Sequence, residues 1–188
     1  MATCRDIVTR ALRLSGVIRL SAMPTASEAD YGMEGLQSLF SEFVNAEAFG
    51  EMTDKRATAD YTAGENERIT ASAGVTVTLP TTIEDEDADD GIRTPHDLAM
   101  IEVLQDGVRS AKVYDRDGWV ELLGLSLGNT CPLAHRGEHG LAALLALETM
   151  GPFAANVSQA DIMAARRFKG QLLYRGQGKG RSLAAVYY

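Results

Sequence analysis

Helix signals stand at both ends of the chain and a strand-like block lies between them, so the two ends must meet to bury one core. TCRDIVTRALRLSGVI opens with Thr3 as an N-cap and Asp6 three residues on; Ile7, Val8, Ala11, Leu12 and Leu14 then recur at helical spacing until Gly16. A loop through Met23-Pro24-Thr25 leads to a second helix, read as capped by Ser27 with Asp30 three residues on. Met33, Leu36, Phe40, Phe43 and Glu47 step by three and four, Leu39 and Val44 widen the stripe, and the helix ends near Gly50. At the other end, GLAALLALETMG reads as a compact apolar helix stopped by Gly151-Pro152. SQADIMAARRFKGQLLYRG follows, with Ser158 as cap, Asp161 three residues on, and Ile162, Ala165, Phe168, Leu172 and Leu173 on one face.

From about Thr53 the pattern changes. ATADYTAG, ERITAS and VTVTLP are Thr- and Val-rich runs between turn residues, which read as strands. LAMIEVL and VRSAKVY flank Gln105-Asp106-Gly107, a hairpin signal because Asp-Gly tolerates positive φ. DRDGWVELLG reads as a short helix or an irregular turn. The fold expected is α+β: a helical bundle built from residues 3–50 and 115–175, with an inserted small antiparallel β region and an extended C-terminal arm. The corresponding divisions are 1–52, 53–114, 115–175 and 176–188.

Charge narrows the function. The chain carries a net charge of −8, and its acids concentrate in the first hundred residues. No acid follows Asp161, whereas Arg166, Arg167, Lys169, Arg175, Lys179 and Arg181 do. An acidic body argues against wrapping nucleic acid, which needs many Lys and Arg contacts to phosphate. It suits a surface past which DNA must slide. Nothing approaches the apolar run of a membrane span. Arg5, Asp6, Arg10 and Arg13 are incompatible with the apolar core of a signal peptide, so synthesis and retention in the cytoplasm are expected. Two cysteines, Cys4 and Cys131, make no disulfide framework and read as reduced, packed thiols.

Several strings invite chemistry. His135-Arg136-Gly137-Glu138-His139 matches the H-x-x-E-H pattern of a zinc protease. Such a site needs both histidines on one helical face and a further ligand. Here Gly137 interrupts the motif, Pro132 precedes it, and only Glu148 and Asp161 remain downstream as carboxylates, so the segment reads better as a helix entry. Gly124-Leu125-Ser126-Leu127-Gly128 matches a nucleophile elbow but leads into Asn129-Thr130-Cys131-Pro132, a loop where a helix is required. Asp85, Asp87 and Asp89 alternate like a calcium loop, yet Gly91 falls one place late and His96 stands where a bidentate Glu belongs, so EDEDADDG reads as a solvated acidic loop. Gly176-Gln177-Gly178-Lys179-Gly180-Arg181 follows a helix rather than a strand and lacks the Ser or Thr of a phosphate loop; it reads as a linker to the apolar end LAAVYY.

Together, RDIVTRALRLSGVI, PTASEAD and GMEGLQSLFSEF, followed at the far end by an Ala/Leu-rich helix, a Gly-Pro break and a Ser-capped basic helix, resemble the head-to-tail adaptors of tailed bacteriophages and phage-like gene transfer agents. The resemblance covers roughly residues 3–50 and 139–175; the middle carries no motif. It implies a structural virion protein of the neck rather than an enzyme, with no cofactor and no metal. Adaptors form a homo-oligomeric ring, usually of about twelve copies, below the portal. The ring extends the DNA channel without binding the passing double-stranded DNA specifically. It also offers a platform to the next tail component, a stopper or tail hub. Portal or neighbour docking is then expected from Arg175, Lys179, Arg181, Leu183, Val186, Tyr187 and Tyr188. An acidic lumen or rim is expected from Glu84, Asp85, Glu86, Asp87, Asp89 and Asp90, and from the acids of the second helix. Two other classes stand beside this one. A small metal-dependent hydrolase would use His135, Glu138 and His139. A DNA-binding regulator is disfavoured by net charge and by a loop of about twelve residues where a helix-turn-helix has three or four.

Overall fold

The computed structural model describes residues 2–86, 91–116, 118–149 and 157–176. Within them lie helices α1 (Cys4–Leu14), α2 (Ala26–Asn45), α3 (Glu138–Thr149) and α4 (Gln159–Gly176). Between α2 and α3 run β1 (Thr53–Ala57), β2 (Tyr61–Thr62), β3 (Glu67–Ala71), β4 (Val77–Thr78), β5 (Ile83–Glu84), β6 (Ile92–Arg93), β7 (Met100–Gln105), β8 (Val108–Asp115) and β9 (Gly118–Glu121). Among the described residues no helix is long and apolar enough to cross a membrane.

The helices begin where their side chains can satisfy the orphan amides of the first turn. Thr3 Oγ1 accepts from the Asp6 N–H at 3.3 Å, and the Asp6 carboxylate accepts from the Thr3 N–H at 2.8 Å. α2 repeats this box with Thr25 and Glu28, two residues before the expected Ser27–Asp30 cap. Thr25-x-x-Glu28 is the better box, because the longer acid reaches back to the Thr25 N–H at 2.7 Å. α4 starts on Ser158, whose Oγ accepts from the Asp161 N–H at 3.3 Å.

α3 is the central helix. Leu141 to Ala146 are all buried, the all-round apolar surface of a helix with neighbours on several sides. It packs on α1, α2 and α4, and α1 packs on α2. Two glycines allow the closest approaches: a Cβ at Gly32 would lie 2.4 Å from Val8 Cγ1, and one at Gly140 would lie 2.7 Å from Phe168 Cβ. On α4, Ala165, Phe168 and Leu172 are buried, whereas Leu173 is 41% exposed and leaves the expected apolar face.

The middle of the chain forms a five-stranded sheet in the order β1-β3-β7-β8-β9. β1, β3 and β7 run parallel, and β7-β8-β9 is an antiparallel meander. Asp106 and Gly107 make the β7–β8 turn at φ 51° and 76°, the positive angles that a two-residue hairpin requires. Side chains alternate between faces. Met100, Ala111, Val113 and Leu122 join the helices in the main core. Ile69, Ile101 and Ala71 point the other way, into a smaller core completed by Tyr61, Val77 and Leu79 of the β2–β4 segment.

This architecture corrects the expected helical bundle with a small antiparallel β insertion. Among the described residues the fold is mixed α/β, with four α-helices, a five-stranded mixed sheet and two small sheets. Three reasons are visible. Residues 72–99 act as the long crossover that parallel pairing needs, and they return β7 alongside β3 in the same direction. DRDGWVELLG is neither helix nor irregular turn, since its latter part forms β9. There Trp119 stacks edge-on to Tyr114 at 5.4 Å and donates from Nε1 to the Pro80 carbonyl at 2.7 Å. Finally, the sheet shares its core with the helices, so it is a layer of the domain rather than an appendage.

Candidate functional site

The HRGEH string divides between two elements. His135 and Arg136 lie in a 3₁₀ turn (Ala134–Arg136), Gly137 ends it, and Glu138 and His139 open α3. The three potential ligands turn to three partners. His135 Nε2 is 3.2 Å from Asp115 Oδ1, Glu138 is 3.6 Å from Arg10, and His139 Nε2 is 2.9 Å from Asp161 Oδ1. Among the described residues no group of three or more His, Cys, Asp or Glu is placed to hold a metal ion.

The residue with most connections in this string is Arg136, to which the H-x-x-E-H pattern assigns no role. Its Nε and Nη2 donate to Asp115 Oδ1 at 3.0 and 2.5 Å, its Nη1 donates to Asp97 Oδ2 at 2.9 Å, and Nη2 also meets Asp97 Oδ1. Asp115 is 4% exposed and Arg136 10%. Burial, joined by the nearby guanidiniums of Arg116 and Arg136, holds His135 below its ordinary pKa against the pull of Asp115. The network closes the end of β8 onto the start of α3, and a cleft of about 590 Å³ opens beside it, lined by Thr94, Asp97, Tyr114, His135 and Phe168. No local motif could reveal it, because Asp97, Asp115 and Arg136 are remote in sequence.

Ser126 sits in a tight turn. Its Oγ donates to Asn129 Oδ1 at 2.8 Å and its N–H to the same atom at 2.6 Å, so the hydroxyl serves the turn. Cys4 and Cys131 are free and buried beside the Thr3–Thr130 bridge, and Cys131 Sγ donates to the Pro132 carbonyl at 3.6 Å. The neighbouring Cys4 sulfur, with burial, pushes the Cys131 thiol up. An aromatic disulfide reagent is expected to label neither thiol in the native protein and both after denaturation. Rapid labelling of the folded chain would contradict this packing.

Of the acidic candidates, Glu84 ends β5, and Asp85 and Glu86 follow it; Asp87, Asp89 and Asp90 lie outside the described residues. Asp85 Oδ2 receives Arg93 Nε at 2.7 Å, so this segment is tied down as well as solvated. Arg93 also donates from Nη1 and Nη2 to Glu65 at 2.9 and 2.7 Å, and the His96 N–H bonds the same carboxylate. Burial opposes ionisation of Glu65, but the hydrogen bonds from Arg93 and His96 outweigh it and lower its pKa from 4.5 to about 2. A folded pKa below the unfolded one means the stabilisation is complete above pH 4.5 and is lost as pH falls through about 2. Glu65→Gln should therefore lower stability at neutral pH by up to about 3 kcal/mol, with the difference from wild type shrinking through that window. Urea melts between pH 7 and pH 2 would check it, and a pH-independent difference would contradict it.

Of the docking candidates, Arg175 lies in the last turn of α4. Lys179, Arg181, Leu183, Val186, Tyr187 and Tyr188 lie outside the described residues.

Two outward faces carry mostly opposite charge. α1 and the loop after it expose Arg5, Arg10 and Arg19, with Arg13 half-buried and Asp6 exposed among them. α2 exposes Asp30, Glu34 and Glu42 along one side, with Tyr31 among them. Asp30, Glu34 and Glu42 are spaced by four and eight, which sets the acids of this helix, expected at a lumen or rim, on one outward side.

No family model matches the chain, and no curated protein matches it either.

Proposed function

We propose that this chain is the repeating subunit of a head-to-tail adaptor, a structural ring beneath the portal of a tailed phage or phage-like particle. The observation that supports this reading is the meeting of the segments that carry the resemblance. Residues 3–50 and 139–175 are far apart in sequence, yet α3 packs on both α1 and α2 and carries α4. The sequence likeness thus corresponds to one contiguous structural layer. In this reading the helical layer builds the ring wall and the mixed sheet stands on it as a platform for the stopper or tail hub. Arg175, Lys179, Arg181 and the apolar end of the chain reach the portal. With a net charge of −8 on every copy, the ring repels phosphate, and Glu84 to Asp90 supply rim charge that keeps passing DNA mobile. The role requires no bond-making step.

Particles produced without this chain are the test. DNA-filled heads that carry a portal but no tail, restored by supplying the chain, are expected. Fully tailed particles formed in its absence would overturn the reading.

A further inference from the structure

We infer that the basic face of α1 and the acidic face of α2 are the two halves of one contact, made between successive copies of this chain. The inference rests on the ring reading and deepens it by naming the surfaces that join the subunits.

The first observation is that the acidic face of α2 is in electrostatic conflict with itself, and that the α1 face carries an excess of positive charge. Asp30 and Glu34 are one turn apart on α2, an arrangement that destabilises an isolated helix, and Glu42 extends the same sign. Neither these three acids nor Arg5 and Arg19 has an ion pair among the described residues. Elsewhere the chain does pair its charges: Glu102 is held by Arg68 and Arg109, Glu65 by Arg93, and Asp115 by Arg136.

The second observation is a prepared cavity on the basic face. A cleft of about 270 Å³ is lined by the guanidiniums of Arg5, Arg10 and Arg13, by two carboxylates, Asp6 and Glu138, and by Thr9 and Met23, so the cations outnumber the acids by one. Thr9 is only 6% exposed, and neither its hydroxyl nor Arg13 Nε has a hydrogen-bond partner among the described residues. Buried donors of this kind are costly unless satisfied. A carboxylate entering beside three guanidiniums accepts from such donors. Arg10 makes only a half-exposed contact to Glu138, which leaves it able to take a second acid.

The third observation is apolar surface in matching positions. Leu20 and Met23 are 81% and 67% exposed beside the arginines, and Tyr31 is 46% exposed among the acids. An aromatic anchor against aliphatic side chains, rimmed by opposite charges, is the usual anatomy of a specific contact. α1 and α2 turn their buried sides toward each other, so their charged sides point outward from different parts of the chain. Contact of one copy's α1 with the next copy's α2 leaves a free face at each end, which propagates until it closes as a ring. The α2 acids are thereby assigned to the subunit contact, and the lumen or rim charge falls to residues 84–90.

Charge reversal tests this with the full-length chain. R5E/R10E makes both faces acidic, and E34R/E42R makes both basic. Each variant should keep the wild-type circular dichroism spectrum. Each should self-associate about a hundredfold or more less tightly than wild type in sedimentation at low salt. An equimolar mixture should recover assemblies, because every contact in an alternating array is again between opposite signs. Variants that assemble like wild type overturn the contact and leave the ring reading standing. Recovery in the mixture, with assemblies that stop at two copies, upholds the contact and overturns the ring. Wild-type chain that stays monomeric at its highest soluble concentration, alone and with portal rings, overturns both.

Discussion

Arg136→Met is expected to cost about 3–5 kcal/mol of folding stability, because it strands a buried carboxylate. Asp115 is 4% exposed and receives two guanidinium hydrogen bonds from Arg136, and among the described residues His135 is its one further ionisable neighbour within 4 Å. Removing the cation leaves Asp115 without its compensating charge at the seam between β8 and α3. Replacing both members, as in D115L/R136M, should recover most of the loss, since a buried pair often contributes little beyond an apolar substitute. Asp97→Asn should cost no more than about 1 kcal/mol, because the Asp97 side chain is 40% exposed and its pairing is screened by solvent. Urea unfolding of the three variants measures these differences. Equal losses in the single and the double variant would show that packing, and not the charge pair, holds this seam.

Phe40→Ala should be comparably severe, at about 3–5 kcal/mol. Phe40 is fully buried and packs against Phe43, with ring centroids 6.3 Å apart, while Phe43 in turn meets Phe49 at 5.8 Å. This aromatic row lies where the helices and the sheet share one core, so the cavity would open between layers that cannot collapse independently. Tyr31→Ala on the opposite side of the same helix should change stability by no more than about 0.5 kcal/mol. That contrast separates the two sides of α2: Phe40 reports on folding and Tyr31 on assembly. Thermal unfolding followed by circular dichroism checks both, and a marked loss at Tyr31 would mean that this side already packs within the monomer.

The helices were largely legible because their information is local. Thr3-x-x-Asp6 and Ser158-x-x-Asp161 announce caps, and Leu36, Phe40 and Phe43 announce a buried stripe. The Asp106–Gly107 turn was legible for the same reason: two residues dictate the backbone. The parallel pairing of β1, β3 and β7 was not legible. Strand direction depends on where the β1–β3 and β3–β7 connections carry the chain, and no residue in either connection states it. β9 was misread because Gly118 and the acids around Trp119 look like a turn until Tyr114 and Pro80 supply its contacts. At the site, HRGEH drew attention to His135, Glu138 and His139 as a unit. The fold separates them and gives the central role to Arg136, whose partners lie on other elements.

Titration of this chain against purified portal rings tests the central claim most directly. The amount bound, read by sedimentation or native mass, should saturate at one chain per portal subunit. The product should be a second closed ring, and truncation after Gly176 should abolish its addition. A chain that ignores the portal, or binds it at scattered sub-stoichiometric ratios without closing a ring, would contradict the account.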